Sequence, residues 1–334
     1  MGIILITTLV AVFAYPLSPD GTPDANNMIV ELSARPAGFS KDFLKVPLSK
    51  APERKSFLSA LFSGQPAQYA LVPINGFFMR GDSVFARHYI DDGLEDTLRF
   101  RTSGIRHPTS TITFPLGTDR YGRDILSRLL VGARISLAVG IVAVLLSLLI
   151  GISLGAIAGY YGGLTDKAVT FLINILWAIP TLLLVFAIKL TIGKGFWQMF
   201  IAIGLTMWVS AARLIRGQVL QLREMDYITA ARALGLSNRR IIVKHILPNI
   251  AGPVMVIAAS NFATAILIEA GLSFLGYGVN PPTPSWGLMI KEHYNFLLAN
   301  QPMAALIPGF AIMLLVYAFN ILGNALRDAL DVRA

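Results

Sequence analysis

Few residues in this chain are of a type and spacing that could do chemistry. There is no cysteine, which excludes disulfides and thiolate catalysis and leaves the redox compartment unread, and there are only four histidines, at 88, 107, 245 and 293. No two of these stand at a metal-ligand spacing, so a histidine metal centre is not expected. A G-x-x-x-x-G-K-[ST] phosphate loop is absent, because GKGFW at Gly193 lacks the hydroxyl and the spacing that grip phosphate oxygens. No H-E-x-x-H or paired-histidine constellation supports a membrane-embedded enzyme either, and no G-x-S-x-G nucleophile is expected. Two features remain: Glu269, a carboxylate within an otherwise apolar run, and the basic stretch DYITAARALGLSNRRIIVKHILPN at 226–249.

The elements that must position these residues are set by composition. Of 334 residues 54% are hydrophobic and 14% charged, with a mean hydropathy of +0.63, well outside the range of water-soluble domains. The expected fold class is therefore an all-α membrane protein, a polytopic bundle of about six transmembrane helices. Uncharged runs at 135–164, 168–188, 195–212, 250–268 and 302–326 reach or approach the ~20 residues that cross a bilayer core. A sixth run, MGIILITTLVAVFAYPLSP at 1–19, reads as a retained first span or as a signal peptide. The absence of Lys or Arg before Lys41 favours the span.

Sidedness follows from basic loops. Arg213, Arg216, Arg223, Arg232, Arg239, Arg240 and Lys244 face only Glu224 and Asp226 between two spans, so that loop is expected in the cytoplasm. Counting outward from it puts both termini in the cytoplasm and 20–134 and 280–301 outside. The net charge of +9 is thus explained by topology, and nucleic acid is not an expected partner. Within the outer region, 20–115 mixes charges evenly and carries short β-like pieces such as TITF, as an extracytoplasmic insertion would. The stretch 116–134 reads as an external amphipathic segment.

The 222–249 loop is expected to fold as helix, tight turn, helix. Asp226 and Ser237 are candidate N-caps, and Gly235 is placed for a left-handed residue after the first helix. Tyr227, Ala230, Ala231 and Leu234 recur at i, i+3, i+4 and i+7, a narrow face suited to another protein's groove. Ile241, Ile242, His245 and Ile246 form a face suited to packing on the membrane helices. A basic amphipathic helix resting on anionic headgroups fits the same pattern.

The spacing A-A-x-x-x-G followed by L-P, here Ala230, Ala231, Gly235, Leu247 and Pro248, resembles the EAA loop of ABC-importer permeases. LGTDRYGRDILSRLLVGARISL at 116–137, EAGLSFLGYGVNPPTPSWG at 269–287 and NALRDALD at 324–331 resemble the dipeptide/oligopeptide/nickel family, in particular its C-type subunit. The resemblance covers most of 116–331 and implies a type I importer permease over 135–334. Its function would be to translocate di- or oligopeptides across the cytoplasmic (inner) membrane. It implies ATPase-coupling roles for Tyr227, Thr229, Ala230, Ala231, Arg232, Leu234, Gly235, Leu236, His245, Leu247 and Pro248, with Thr229 standing where the family usually has glutamate. It also implies partners: a B-type second permease subunit, two cytoplasmic ATPase subunits that hold the ATP and magnesium this chain cannot, and an external solute-binding protein.

Other conspicuous residues have two readings each. Glu269, with Asn261 and Asn320, lines the solute path or pairs helices. Asp119, Arg120, Arg123 and Asp124 form an intraloop ion cluster or a docking surface for the binding protein. Trp286 anchors the interface or meets that same protein. An ion-gradient-driven secondary transporter is the alternative function. Inverted repeats and several intramembrane carboxylates would favour it, but no repeat is visible and only Glu269 is intramembrane.

Overall fold

The computed structural model describes residues 1–101, 109–193, 195–297 and 302–330; His107 and Asp331 lie outside them. In chain order the elements are α1 (Gly2–Val12), α2 (Ala14–Leu17), β1 (Phe39–Pro47), α3 (Phe57–Ser63), β2 (Tyr69–Arg80), β3 (Ser83–Asp91), β4 (Leu94–Arg101) and β5 (Ser110–Phe114). They continue with α4 (Ile125–Tyr161), α5 (Gly163–Trp177), α6 (Thr181–Ile192), α7 (Phe196–Leu222), α8 (Asp226–Ala233), α9 (Asn238–Ile241), α10 (Ala251–Leu275), α11 (Trp286–His293) and α12 (Met303–Leu330). The chain divides into one unit of Met1–Ile6, Ser136–Asn280 and Ala311–Ala334 and another of Thr7–Ile135 and Pro281–Phe310.

The second unit holds an antiparallel sheet in the order β4-β3-β2-β1-β5. Where the sequence offers only short β-like pieces, these five strands account for most of 39–114. Successive residues of a strand point to opposite faces. Accordingly Phe43 packs with Ile29, Leu32, Tyr89 and Phe114, while its neighbour Leu44 packs with Ile74, Val84 and Ala86.

The helical bundle is as expected, but the span count is not. Among the described residues four helical stretches are long and apolar enough to cross a membrane: Ile125–Tyr161, Trp197–Leu222, Asn238–Leu275 and Met303–Leu330. The expected span at 168–188 is instead α5 and α6, bent by 96°. Pro180 lacks an N–H and disfavours helix at the residue before it, so the break falls at Ala178–Pro180. α1 is an apolar helix of 11 residues, about 16 Å long against a bilayer core of about 30 Å.

Contacts within the first unit order its helices. α5 starts where Arg216 of α7 clasps Asp166, with Nη2 2.6 Å from Oδ2. α6 ends where Lys189 donates to the carbonyls of Tyr277 and Gly278, the latter at 3.0 Å, beyond the far end of α10. The broken pair therefore travels the length of the bundle as one interrupted span. α4 meets α7 through Gly151, Gly155 and Gly159. A Cβ on these would come within 2.6 Å of Ala211 Cβ, 2.6 Å of the Ala212 oxygen and 2.8 Å of the Arg216 oxygen, so small residues allow the two backbones to touch.

Candidate functional site

The residues after α7 fold as a helical hairpin. α8 is capped by Met225 rather than Asp226, which becomes the first helical residue and leaves its carboxylate at the positive end of the helix. The hairpin turns at Gly235, whose φ of 74° is cheap only for glycine. Leu236 N–H donates to Ala231 O at 3.2 Å and Gly235 N–H to Arg232 O at 2.9 Å, the paired closure that ends a helix on a left-handed residue. Ser237 then stands at the N-cap position of α9, though its side chain makes no capping bond. Pro248 cannot donate into the helix, and the chain passes through a π turn at Ile242–Ile246 and a 3₁₀ turn at Leu247–Ile250 before α10.

The expected face of α8 is divided. Tyr227, Ala230 and Leu234 are exposed, Leu234 at 82%, whereas Ala231 is 5% exposed and packs inward. Ala231 joins Ile228, Ile241, Ile246 and Ile250 against Ile215 and Val219 of α7 and Ala156 of α4, with Leu236 and Leu247 alongside. Its small side chain fits close beneath the turn, and Ile228, three residues earlier, sets the inward direction. Thr229, Arg232 and Pro248 are exposed and His245 is half-buried. The hairpin is tied to α4 by the Tyr160 hydroxyl donating to Asn238 Oδ1 at 2.9 Å and by Arg232 5.2 Å over the Tyr160 ring. Asn249 Nδ2 donates to His245 O at 2.6 Å and reaches the Tyr227 hydroxyl at 3.4 Å.

The loop arginines also hold the chain's own helices together. Arg213 stacks 3.3 Å over Trp177 and donates to Asn174 Oδ1 at 3.2 Å. Arg223 Nη1 donates to Gly159 O at 3.0 Å.

Asp119, Arg123 and Asp124 do not form an exposed docking surface. All three are buried, and of the four candidates only Arg120 is exposed, stacked 4.6 Å from the Tyr121 ring. Arg123 Nε lies 2.6 Å from Asp119 Oδ2 and its Nη2 2.8 Å from Glu292 Oε2, while Arg128 Nη2 lies 3.4 Å from the same Glu292 oxygen. Two arginines balance two carboxylates, which is why the cluster can be buried at all. His293 Nε2 is 3.9 Å from Asp119 Oδ2, and its Nδ1 is 2.6 Å from Met289 O, the bond that makes Nδ1 the protonated nitrogen. Burial lowers the His293 pKa below the ordinary imidazole value, with Asp119 opposing. Although Asp119, Glu292 and His293 converge closely enough to hold a cation, the arginines already neutralise the carboxylates. Asp124 accepts from Ser127 N–H at 2.8 Å, and burial raises its pKa.

Trp286 is also buried, its Nε1 donating to Leu129 O at 3.0 Å, so it is neither an interface anchor nor an exposed contact. Glu269 is fully buried in α10 and accepts from Ser273 Oγ at 2.6 Å. Asn261, two turns earlier on the same helix, donates to Ser147 Oγ of α4 at 3.2 Å. Asn320 is exposed on α12. The three residues grouped from the sequence as pathway or helix-pairing candidates therefore do not form one site.

Sequence reasoning passed over Arg128, Glu292, His293 and Lys189. Apart from the Met289 carbonyl one turn before His293, their main partners are carbonyls or side chains far along the chain, and local patterning carries no signal for them. Gly151–Gly155 spells G-x-S-x-G, but Ser153 lies within α4 and donates to Leu149 O at 2.7 Å, with none of the strand-to-helix context a nucleophile needs.

The described helices thus form a bundle with one interrupted pair, α5 and α6, and a helical hairpin between α7 and α10. The chain belongs to the family of binding-protein-dependent transport system inner membrane components, whose model matches residues 151–334. Similar relatives include the dipeptide transport system permease protein DppC of Alkalihalophilus pseudofirmus, 46% identical over 64% of this chain and 70% of that one. Another is the oligopeptide transport system permease protein OppC of Bacillus subtilis, 43% identical over 64% of this chain and 70% of that one. The glutathione transport system permease protein GsiD of Pectobacterium atrosepticum is 42% identical over 65% of this chain and 71% of that one. Among solved structures, the inward-facing MetNI methionine ABC transporter shares the fold, with a TM-score of 0.50 at 19% identity over 60% of this chain and 95% of that one.

Proposed function

We propose that this chain is the C-type permease subunit of an ATP-driven peptide importer and that its 226–249 hairpin receives the push of a separate ATPase. The observation that carries this reading is the division of α8. Ile228 and Ala231 anchor it to α4 and α7, while Tyr227, Ala230 and Leu234 are exposed on the adjoining face. A helix anchored on one side and apolar on the other passes a displacement to the bundle instead of absorbing it. The named relatives act on dipeptides, oligopeptides and glutathione, which supports a peptide as the solute.

On this reading the hairpin lies in the cytoplasm, the sheet unit lies outside, and a B-type permease completes the path. ATP and magnesium are held by two partner ATPases, and an external binding protein delivers the solute. Nucleotide shifts the permease between inward and outward openings only through different affinity for the two states.

Reconstitution tests the proposal. The complex in proteoliposomes with no ion gradient should take up dipeptide only when ATP is supplied, and gradient-driven uptake without ATP would sink it. Gly235→Val forces a branched residue into a positive φ at a cost of about 1–3 kcal/mol. It should leave the ATPases assembled but uncouple their hydrolysis from uptake.

A further inference from the structure

Midway along the bundle, α5, α6, α7 and α10 enclose a cavity of about 200 Å³. Thr181, Thr206, Ser210, Ser260, Asn261 and Thr264 supply its polar lining, and among the described residues no charged side chain lines it. Resting on the reading as a peptide permease, we propose that this cavity is this subunit's half of the translocation site. It binds the main-chain amides of a peptide in transit and is indifferent to side-chain charge.

Three observations carry the inference. First, Ser210 and Ser260 are exposed in the middle of long apolar helices and Thr181 at the break between α5 and α6, where an unpaired hydroxyl facing hydrocarbon is costly. Exposed positions elsewhere on the bundle look different, as Leu145 and Leu149 on α4 do, 63% and 67% exposed. The hydroxyl face is therefore suited to water, solute or a facing subunit and not to lipid.

Second, the lining has the right functionality for amides. Thr206 and Thr264 spend their protons on carbonyls of their own helices, Ile203 at 2.8 Å and Ser260 at 2.9 Å, and so present lone pairs to an N–H. The serine hydroxyls can donate to a carbonyl.

Third, the nearby charges are held away. Arg213 stacks on Trp177 and Glu269 is buried against Ser273, and neither is part of the lining. A volume of about 200 Å³ is below the usual range for a complete small-molecule pocket, about 300–1,000 Å³, consistent with a half-site that a second permease closes.

The chain has no cysteine, so one introduced thiol is the only one this subunit offers. In the assembled transporter with its other subunits made cysteine-free, Ser210→Cys and Ser260→Cys should react with trimethylammonioethyl methanethiosulfonate at least about tenfold faster than Leu145→Cys, because only a hydrated thiol ionises. Excess dialanine should slow both. If both variants assemble and react no faster than Leu145→Cys, the face is packed or in lipid and the proposal fails; Thr264→Cys serves if either variant does not assemble.

A second reading uses Ser260→Asp. Like-charge repulsion at contact should lower uptake of an acidic dipeptide relative to a basic one by about tenfold or more, whereas Ser260→Asn leaves the ratio unchanged. An unchanged ratio with Ser260→Asp overturns the site. Parental ATP-driven peptide uptake with unreactive thiols would defeat the cavity alone, while water-reactive thiols in a complex that moves no peptide would defeat the peptide reading.

Discussion

Nη2 of Arg123 lies 2.8 Å from Oε2 of Glu292 although the two residues are 169 positions apart, and both side chains are withdrawn from solvent. Removing one partner of such a pair strands a buried charge, at a cost of about 3–5 kcal/mol. Arg123→Met leaves Asp119 and Glu292 to share Arg128, so it should be the worse single change. Glu292→Gln should cost less. The double variant restores neutrality and should be more stable than the sum of the singles by thermal unfolding of the purified protein. Simple additivity would show that the pair does not hold the unit together.

The contact of α4 with α7 predicts a size limit at Gly155. Its Cβ position is 2.6 Å from the Ala212 oxygen, backbone that cannot rotate away. Gly155→Leu should abolish accumulation of folded subunit and Gly155→Ala reduce it. Gly217 has nothing within 4 Å, so Gly217→Ala should be tolerated. Protease resistance in membranes reads all three.

His293 predicts a pH effect of definite sign. Its folded pKa is held below the ordinary value of 6.5, so the unfolded chain takes up the proton first. Stability from the neutral ring is complete above 6.5 and falls as pH drops below it through the lowered folded value. Native protein should therefore lose more Tm than His293→Gln between about pH 7 and about pH 5. Parallel curves would remove the assignment.

The two sides of α8 should separate stability from coupling. Ile228→Ala empties a fully buried position and should cost about 2–5 kcal/mol. Leu234→Ser alters a residue 82% exposed and should leave Tm unchanged while lowering ATPase-coupled uptake. Full uptake with Leu234→Ser would mean that the bare face docks nothing.

The hairpin was legible in the sequence because its determinants are local. Gly235 must be glycine where φ is positive, and Pro248 must disturb a helix, whatever surrounds them. Which side of α8 turns inward was not legible. Ala230 and Ala231 are equally small and apolar, and only the α7 surface decides between them. Asp119 and Arg123 read as a surface cluster because Glu292, which helps bury them, is far along the chain. Pro180 marks a break locally, but nothing beside it in the sequence sets a 96° turn, which depends on how α6 packs against α7.

That turn at Pro180 also shapes the electric potential inside the bundle. α6 does not continue the axis of α5, so the peptide dipoles of the two helices do not run head to tail. No side chain caps the start of α6, and Thr181 at that start lines the hydroxyl cavity. A helix start carries roughly half a positive elementary charge. That start therefore adds positive potential at the Thr181 edge of the cavity without a cation, where the main-chain carboxylate of a peptide in the proposed site would be better placed than its ammonium.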